Sequence, residues 1–120
     1  MLPSKNRLPG PCFQELLKST NNYHHPFFTI KFKKKLTPKP VFRAAIVVST
    51  KVSKKAVVRN RFKRLLRQVI KNNLSSLHPS YDLLILTKPS IINISFSQIN
   101  KDLKSTLIRL KILKNEKNNP

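Results

Sequence analysis

Ala56-Val57-Val58-Arg59-Asn60-Arg61-Phe62-Lys63-Arg64-Leu65-Leu66-Arg67-Gln68-Val69-Ile70-Lys71 is the stretch on which the fold turns. At about 100° per residue, Val58, Phe62, Leu65, Leu66, Val69 and Ile70 fall within an arc of about 140°, while Asn60, Lys63, Arg64, Arg67, Gln68 and Lys71 occupy the opposite side. One face of this helix therefore seeks a core and the other is basic. Arg59 and Arg61 flank the apolar stripe, so their stems can lie along it while their guanidinium groups reach outward. Asn72-Asn73 and Ser75-Ser76 mark its end.

Strands are expected on both flanks. Val41 to Ser49, with Phe42, Ala44, Ala45, Ile46, Val47 and Val48, is apolar enough to be covered on both faces and is expected at the sheet centre. Tyr81 to Thr87 is a short buried strand closed by Lys88-Pro89-Ser90. Strand, long helix and strand make a crossover unit. Upstream, Phe28, Ile30 and Phe32 alternate with Thr29, Lys31 and Lys33, a strand over Phe27 to Lys34 with one wet, basic face. Lys33 to Pro40, with two prolines and crowded like charge, reads as a hairpin connection. Phe13, Leu16 and Leu17 recur at i, i+3, i+4 in a short helix starting near Cys12, with Gly10 as N-cap and Pro11 at its first position. A last helix opens on Ser95 as N-cap with Gln98 as capping-box partner and Ile94 stapled onto Ile99. Its stripe is Ile99, Leu103, Leu107, Leu110 and Leu113. The pattern is α+β, a small sandwich of a roughly four-stranded sheet with helices. It makes one domain over 1–113 and a polar, frayed tail over 114–120.

The chain of 120 residues holds 25 Lys+Arg against 4 Asp+Glu, a formal net charge of +21, and such an imbalance suits a polyanionic partner. With 39% hydrophobic residues it can still build a core. One cysteine, Cys12, allows no internal disulfide and no cysteine-cluster zinc site, which points to a reducing, cytoplasmic setting. Neither an apolar run of signal-peptide length nor one of membrane-spanning length is present, so no membrane partner is expected.

A protein active site is hard to assemble from this inventory. Glu15, Asp82, Asp102 and Glu116 are scattered, and His78 has no local partner. His24 and His25 sit in a loop, where a nucleic-acid contact or plain solvation outweighs acid–base work. Cys12 reads as a small buried hydrophobe rather than a nucleophile. A single glycine excludes multi-glycine phosphate loops. By contrast, Lys51, Lys54, Lys55, Arg59, Arg61, Lys63, Arg64, Arg67 and Lys71 lie within 51–71 with no acid among them. A merely solvated helix mixes signs at i,i+4 to avoid self-repulsion, whereas guanidinium forks beside Asn60 suit phosphates. Structured RNA or DNA is the expected ligand. A structural RNA-binding protein, such as a small ribosomal protein, fits charge and size equally well; a protein-catalysed nuclease lacks the needed cluster.

The stretch Lys51-Val52-Ser53-Lys54-Lys55-Ala56-Val57-Val58-Arg59-Asn60-Arg61-Phe62-Lys63-Arg64-Leu65-Leu66-Arg67 closely resembles the signature of the bacterial ribonuclease P protein component. Asn6-Arg7-Leu8 with Phe13-Gln14, and Tyr81-Asp82-Leu83-Leu84-Ile85 with Lys88-Pro89, are similar to that family's opening and late strand. The resemblance implies the order αβββαβα, if the second strand region splits in two, and a ribosomal protein S5 domain 2-like fold. It implies an accessory subunit, one per catalytic RNA, that binds ribonuclease P RNA and precursor tRNA and assists removal of the 5′ leader. No cofactor is expected on the protein, and Mg2+ is expected at the RNA active site. Lys51, Lys54, Lys55, Arg59, Asn60, Arg61, Lys63, Arg64, Arg67 and Lys71 are then the face toward the catalytic RNA. A cleft between the first helix and the sheet would take the leader, with Phe13 matching a family aromatic. Leu17 and Ile30 stand where further aromatics are frequent, and Phe28 and Phe32 either replace them or fill the core against the first helix.

Overall fold

In a computed structural model, residues 2–114 are described. Three helices, α1 (Gly10–Leu17), α2 (Ala56–Asn72) and α3 (Phe96–Arg109), accompany four strands, β1 (Asn22–His24), β2 (Phe28–Lys34), β3 (Arg43–Val47) and β4 (Tyr81–Thr87), with short 3-10 turns at Ser4–Asn6, Leu74–Ser76 and Pro89–Asn93. The order is αβββαβα as expected, but the extra strand is β1 rather than a division of 41–49. β1 carries one inward side chain, Tyr23, too weak a pattern for period-two reading.

The sheet runs β1-β2-β4-β3, with β1·β2 and β2·β4 antiparallel and β3·β4 parallel. This corrects two expectations. β2 and β3 are not hairpin neighbours, because β4 lies between them, and the segment from Lys35 to Phe42 crosses the end of β4. The central strand is β4, buried at Asp82, Leu83, Leu84 and Ile85, whereas β3 alternates and lies outside. The outer edge of β3 is covered by the amino-terminal segment: Leu8 N–H donates to Ala44 O at 3.2 Å and Asn6 Nδ2 to Phe42 O at 2.8 Å.

The register sorts side chains onto two faces. Ile30 pairs with Ile85, Phe32 with Leu83, and Ala44 and Ile46 lie beside Leu83 and Ile85. This face packs against Phe62, Leu66, Val69 and Ile70 of α2 and Ile99, Leu103 and Leu107 of α3 to make the core. Each such buried side chain contributes about 1.5–3 kcal/mol. On the other face Lys31, Leu84 and Ala45 are in line, as are Lys33, Asp82 and Arg43. There α1 lies across β2 and β4 with Leu16 fully buried. Of the expected α1 stripe only Leu16 goes in, since the helix is short; Phe13 is half-buried and Leu17 exposed. Pro9 occupies the N-cap position and Pro11 the second helical one, so α1 begins at Gly10 without a side-chain cap.

Ser95 Oγ caps α3 by accepting from Gln98 N–H at 3.2 Å. The return half of the capping box is absent, because Gln98 Nε2 donates to Asp102 Oδ1 instead. α3 stops at Arg109, and Lys111 takes a left-handed φ of 63°. Ile112 N–H then reaches Leu107 O at 2.9 Å and Lys111 N–H reaches Ile108 O at 3.0 Å, a Schellman closure. The turn sends Ile112 and Leu113 back into the core, so Leu113 is buried by the reversal and not by a helical stripe. Lys114 N–H bonds to Ser76 O at 3.0 Å, so the chain is docked rather than frayed at that point. The remainder of the expected tail, 115–120 with Glu116, lies outside the described residues.

Candidate nucleic-acid interface

The α2 face and the connector before it carry the densest charge. Lys51, Lys54, Lys55, Asn60, Arg61, Arg64 and Lys71 are exposed, and Arg59, Lys63 and Arg67 half-buried. Because Lys55 gives α2 no side-chain cap, Arg59 supplies the tie between helix and connector, donating from Nη1 to Ser53 O at 2.9 Å. The core side chains of α2 fix where these cations point.

Among the described residues, no carboxylate pairs with any of these nine bases. The acids are committed elsewhere. Glu15 of α1 pairs with Lys33 of β2. Asp82 of β4 accepts from Arg43 Nε at 2.9 Å and Nη2 at 2.7 Å, and from Lys35 Nζ at 2.7 Å. Burial alone would raise the Asp82 pKa, but the hydrogen bonds and charges of Arg43 and Lys35 outweigh it and hold the carboxyl below its ordinary 3.8. Asp102 of α3 faces His25. The acids thus neutralise the α1 face of the sheet and the β1–β2 turn, leaving α2 uncompensated.

The structure divides the expected cleft residues. Phe28 and Ile30 have no exposed surface and sit in the core on the face away from α1; Phe32 packs on that same side, 6.3 Å from the Tyr81 ring. This corrects their placement. Period two shows that β2 has two faces but not which one α1 covers, and the apolar face went to the larger helices. Beside Phe13 and Leu17, the strand contributes Thr29, Lys31 and Lys33 instead. Lys31 Nζ donates to Asn22 Oδ1 at 3.0 Å and Ser19 O at 3.3 Å, and the Lys33 pairing with Glu15 raises the Lys33 pKa. At the cleft floor Arg43 Nη2 lies 3.4 Å from the Cys12 sulfur. Cys12 is half-buried there and not a core residue.

His25 is more ordered than a solvated loop residue. Its ring stacks on Phe28 with centroids 4.3 Å apart, and Nδ1 accepts from Phe27 N–H at 3.0 Å. The other nitrogen, Nε2, lies 3.6 Å from Asp102 Oδ2. Burial lowers the His25 pKa below 6.5; Asp102 opposes this and Lys88 adds to it. Sequence reasoning missed this contact because the two residues are remote along the chain. It likewise missed Arg7, which the amino-terminal segment brings to the same pocket as Arg67.

Among the described residues, no three His, Cys, Asp or Glu side chains converge as a metal-holding group. The arrangement offers cation and hydrogen-bond contacts to a phosphate backbone and a partly apolar cleft on the opposite side of the sheet.

Comparison with known proteins matches residues 2–111 to the family model described as Ribonuclease P. A "Ribonuclease P protein component" of Cyanothece sp. is 42% identical over 71 residues, 59% of this chain and 54% of that protein. One of Pseudanabaena sp. is 34% identical over 116 residues, covering 94% of this chain and 97% of that protein. Among solved structures, the RNase P protein of Staphylococcus aureus superposes with a TM-score of 0.79 at 24% identity, over 91% of this chain and 98% of that one. The RNase P protein of Thermotoga maritima gives 0.75 at 23% identity, over 86% and 96%. At those identities the structures speak for the fold.

Proposed function

Because the chain belongs to the ribonuclease P protein family, we propose that its α2 face and preceding connector seat the RNA of ribonuclease P while the α1 cleft takes the 5′ leader of precursor tRNA. As a family member the chain is a protein subunit of ribonuclease P and serves tRNA 5′ maturation, in partnership with ribonuclease P RNA. The observation that carries the assignment of faces is charge placement. Nine bases on α2 and its connector have no described carboxylate partner, although three described carboxylates exist and pair elsewhere. An unneutralised stripe on a helix whose other side is core is a rigid footprint for a phosphate backbone.

In this scheme Arg59, Arg61 and Arg64 offer forked donors to phosphates, and Asn60 adds both a donor and an acceptor. Lys51, Lys54, Lys55, Lys63, Arg67 and Lys71 add charge around them. In the cleft, Phe13 and Leu17 meet the leader, with Phe13 stacking on a base for about 1–3 kcal/mol. Because Lys31, Lys33 and Arg43 already have partners, the leader is held more by Phe13 and shape than by free charge. Hydrolysis itself rests on magnesium ions held by the RNA, and the protein's residues bind and orient. One protein serves one RNA, in the cytoplasm. Mixing the purified protein with bacterial ribonuclease P RNA and precursor tRNA at low magnesium should accelerate leader removal over RNA alone. Cleavage no faster than with RNA alone would overturn the assignment.

A further inference from the structure

We infer that Arg7 and Arg67 form a two-guanidinium seat for one RNA phosphate at the open end of the β3 edge, extending the α2 footprint onto the amino-terminal segment. The proposal rests on the RNA-binding role of α2. Arg7 is placed by backbone: it bridges Ala44 in parallel, and Leu8 N–H bonds to Ala44 O at 3.2 Å before Pro9 turns the chain into α1. Arg67 descends from α2 on the other side of the same edge. The two line one pocket of about 270 Å³ with Leu2, Leu8, Ala44 and Ile46. Ala45 lines it as well, so the β3 edge from Ala44 to Ile46 forms one wall of the hollow.

No acid lines this pocket, and neither arginine has a carboxylate partner among the described residues. Two like charges around a shared hollow repel each other; Arg67 is half-buried, so water screens its side of the pair less than it screens the exposed Arg7. An anion in the pocket removes the repulsion and gains two charge-assisted donors at once. Arg7 spends Nε on Leu2 O at 2.9 Å, which orients its plane and leaves the terminal nitrogens for a ligand. The ligand chemistry is a phosphodiester. Its source is the RNA already lying along α2, since Arg64 and Arg67 follow one another on the same helix.

The test is equilibrium binding of the full chain to ribonuclease P RNA across a salt series. Arg7→Ala and Arg67→Ala should each weaken binding about tenfold, and the double variant, which alone leaves the phosphate without a guanidinium, should lower the slope of log affinity against log salt by about 0.7–0.9. Arg7→Lys should keep the slope while losing affinity, because charge remains but the fork is gone. If both grip one phosphate, the double variant loses less than the product of the single losses. An unchanged slope for the double variant overturns the seat, including when affinity falls through loss of the Leu2 tie, and so does a multiplicative double loss. The variant replacing Arg59, Arg61 and Arg64 by Ala separates the two levels. If it lowers the slope while the Arg7→Ala, Arg67→Ala double variant does not, the seat alone fails; if it too leaves the slope unchanged, the α2 assignment fails with it.

Discussion

Replacing Asp82 by Asn keeps the side-chain size and removes the charge on which Arg43 and Lys35 converge. Asp82's side chain is 6% exposed, Lys35's 12% and Arg43's 24%, so the pairings are largely out of water. Removing one partner of such a buried pair costs about 3–5 kcal/mol, chiefly because the remaining cations are stranded. Here two cations would be stranded, though each keeps some solvent contact and Lys35 retains Val41 O at 2.6 Å, so about 3 kcal/mol is expected. That is a large part of the roughly 5–15 kcal/mol that holds a small domain together. Urea unfolding at pH 7 should show a midpoint lower by about 1–3 M, and the melting temperature should fall by about 10–20 °C. The pH dependence fixes the cause. Since the folded pKa lies below the ordinary 3.8, the carboxylate's contribution is fully present above that value and is lost as pH falls through the folded pKa. The gap between wild type and Asp82→Asn should therefore close in acid. A loss under about 1 kcal/mol at pH 7, or a gap that stays constant through acid, would refute the account of this network.

Nuclear magnetic resonance titration of the His25 ring should place its pKa below 6.5, with stability falling as pH drops below 6.5 toward the folded value; a pKa above 6.5 would mean that Asp102 outweighs burial. Leu16→Ala should cost about 2–5 kcal/mol by leaving a cavity under α1, whereas Leu17→Ala, at an exposed position, should stay within about 0.5 kcal/mol; equal losses would place α1 wrongly on the sheet. Phe13→Ala should reduce the preference for precursor over mature tRNA, and equal loss for both substrates would indicate a packing defect instead. Ser95→Ala should destabilise by about 1 kcal/mol, and Gln98→Ala by less, since Gln98 returns no bond to the cap.

Elements defined by local pattern were legible: α2 and β4 carry their own burial signals, and Ser95 announces α3. What depends on remote pairing was not. Nothing in 28–47 says that β4 will enter between β2 and β3, so the run at 41–49 looked central when its odd-numbered side chains only meet α1's side of the sheet. The uncompensated basic face of α2 was readable because the absence of acid is itself a sequence fact. The cleft was half-readable: Phe13 and Leu17 lie on α1, but Phe28, Ile30 and Phe32 went to the opposite face. Arg7 is brought to the pocket of Arg67 by a single β-bridge to Ala44, a contact that leaves no periodic trace.

α2 is at once the crossover of the fold and the bearer of the uncompensated cations. Phe62 and Leu66, on its inner side, therefore act as a gauge for the outer one: a change of volume there tilts or slides the helix and displaces every guanidinium together. Substitutions wholly inside the core, touching no nucleotide, should be felt by the RNA as a misfit in spacing. Conversely, RNA already bound along α2 should resist such repacking, so that the complex tolerates core variation that the free protein does not.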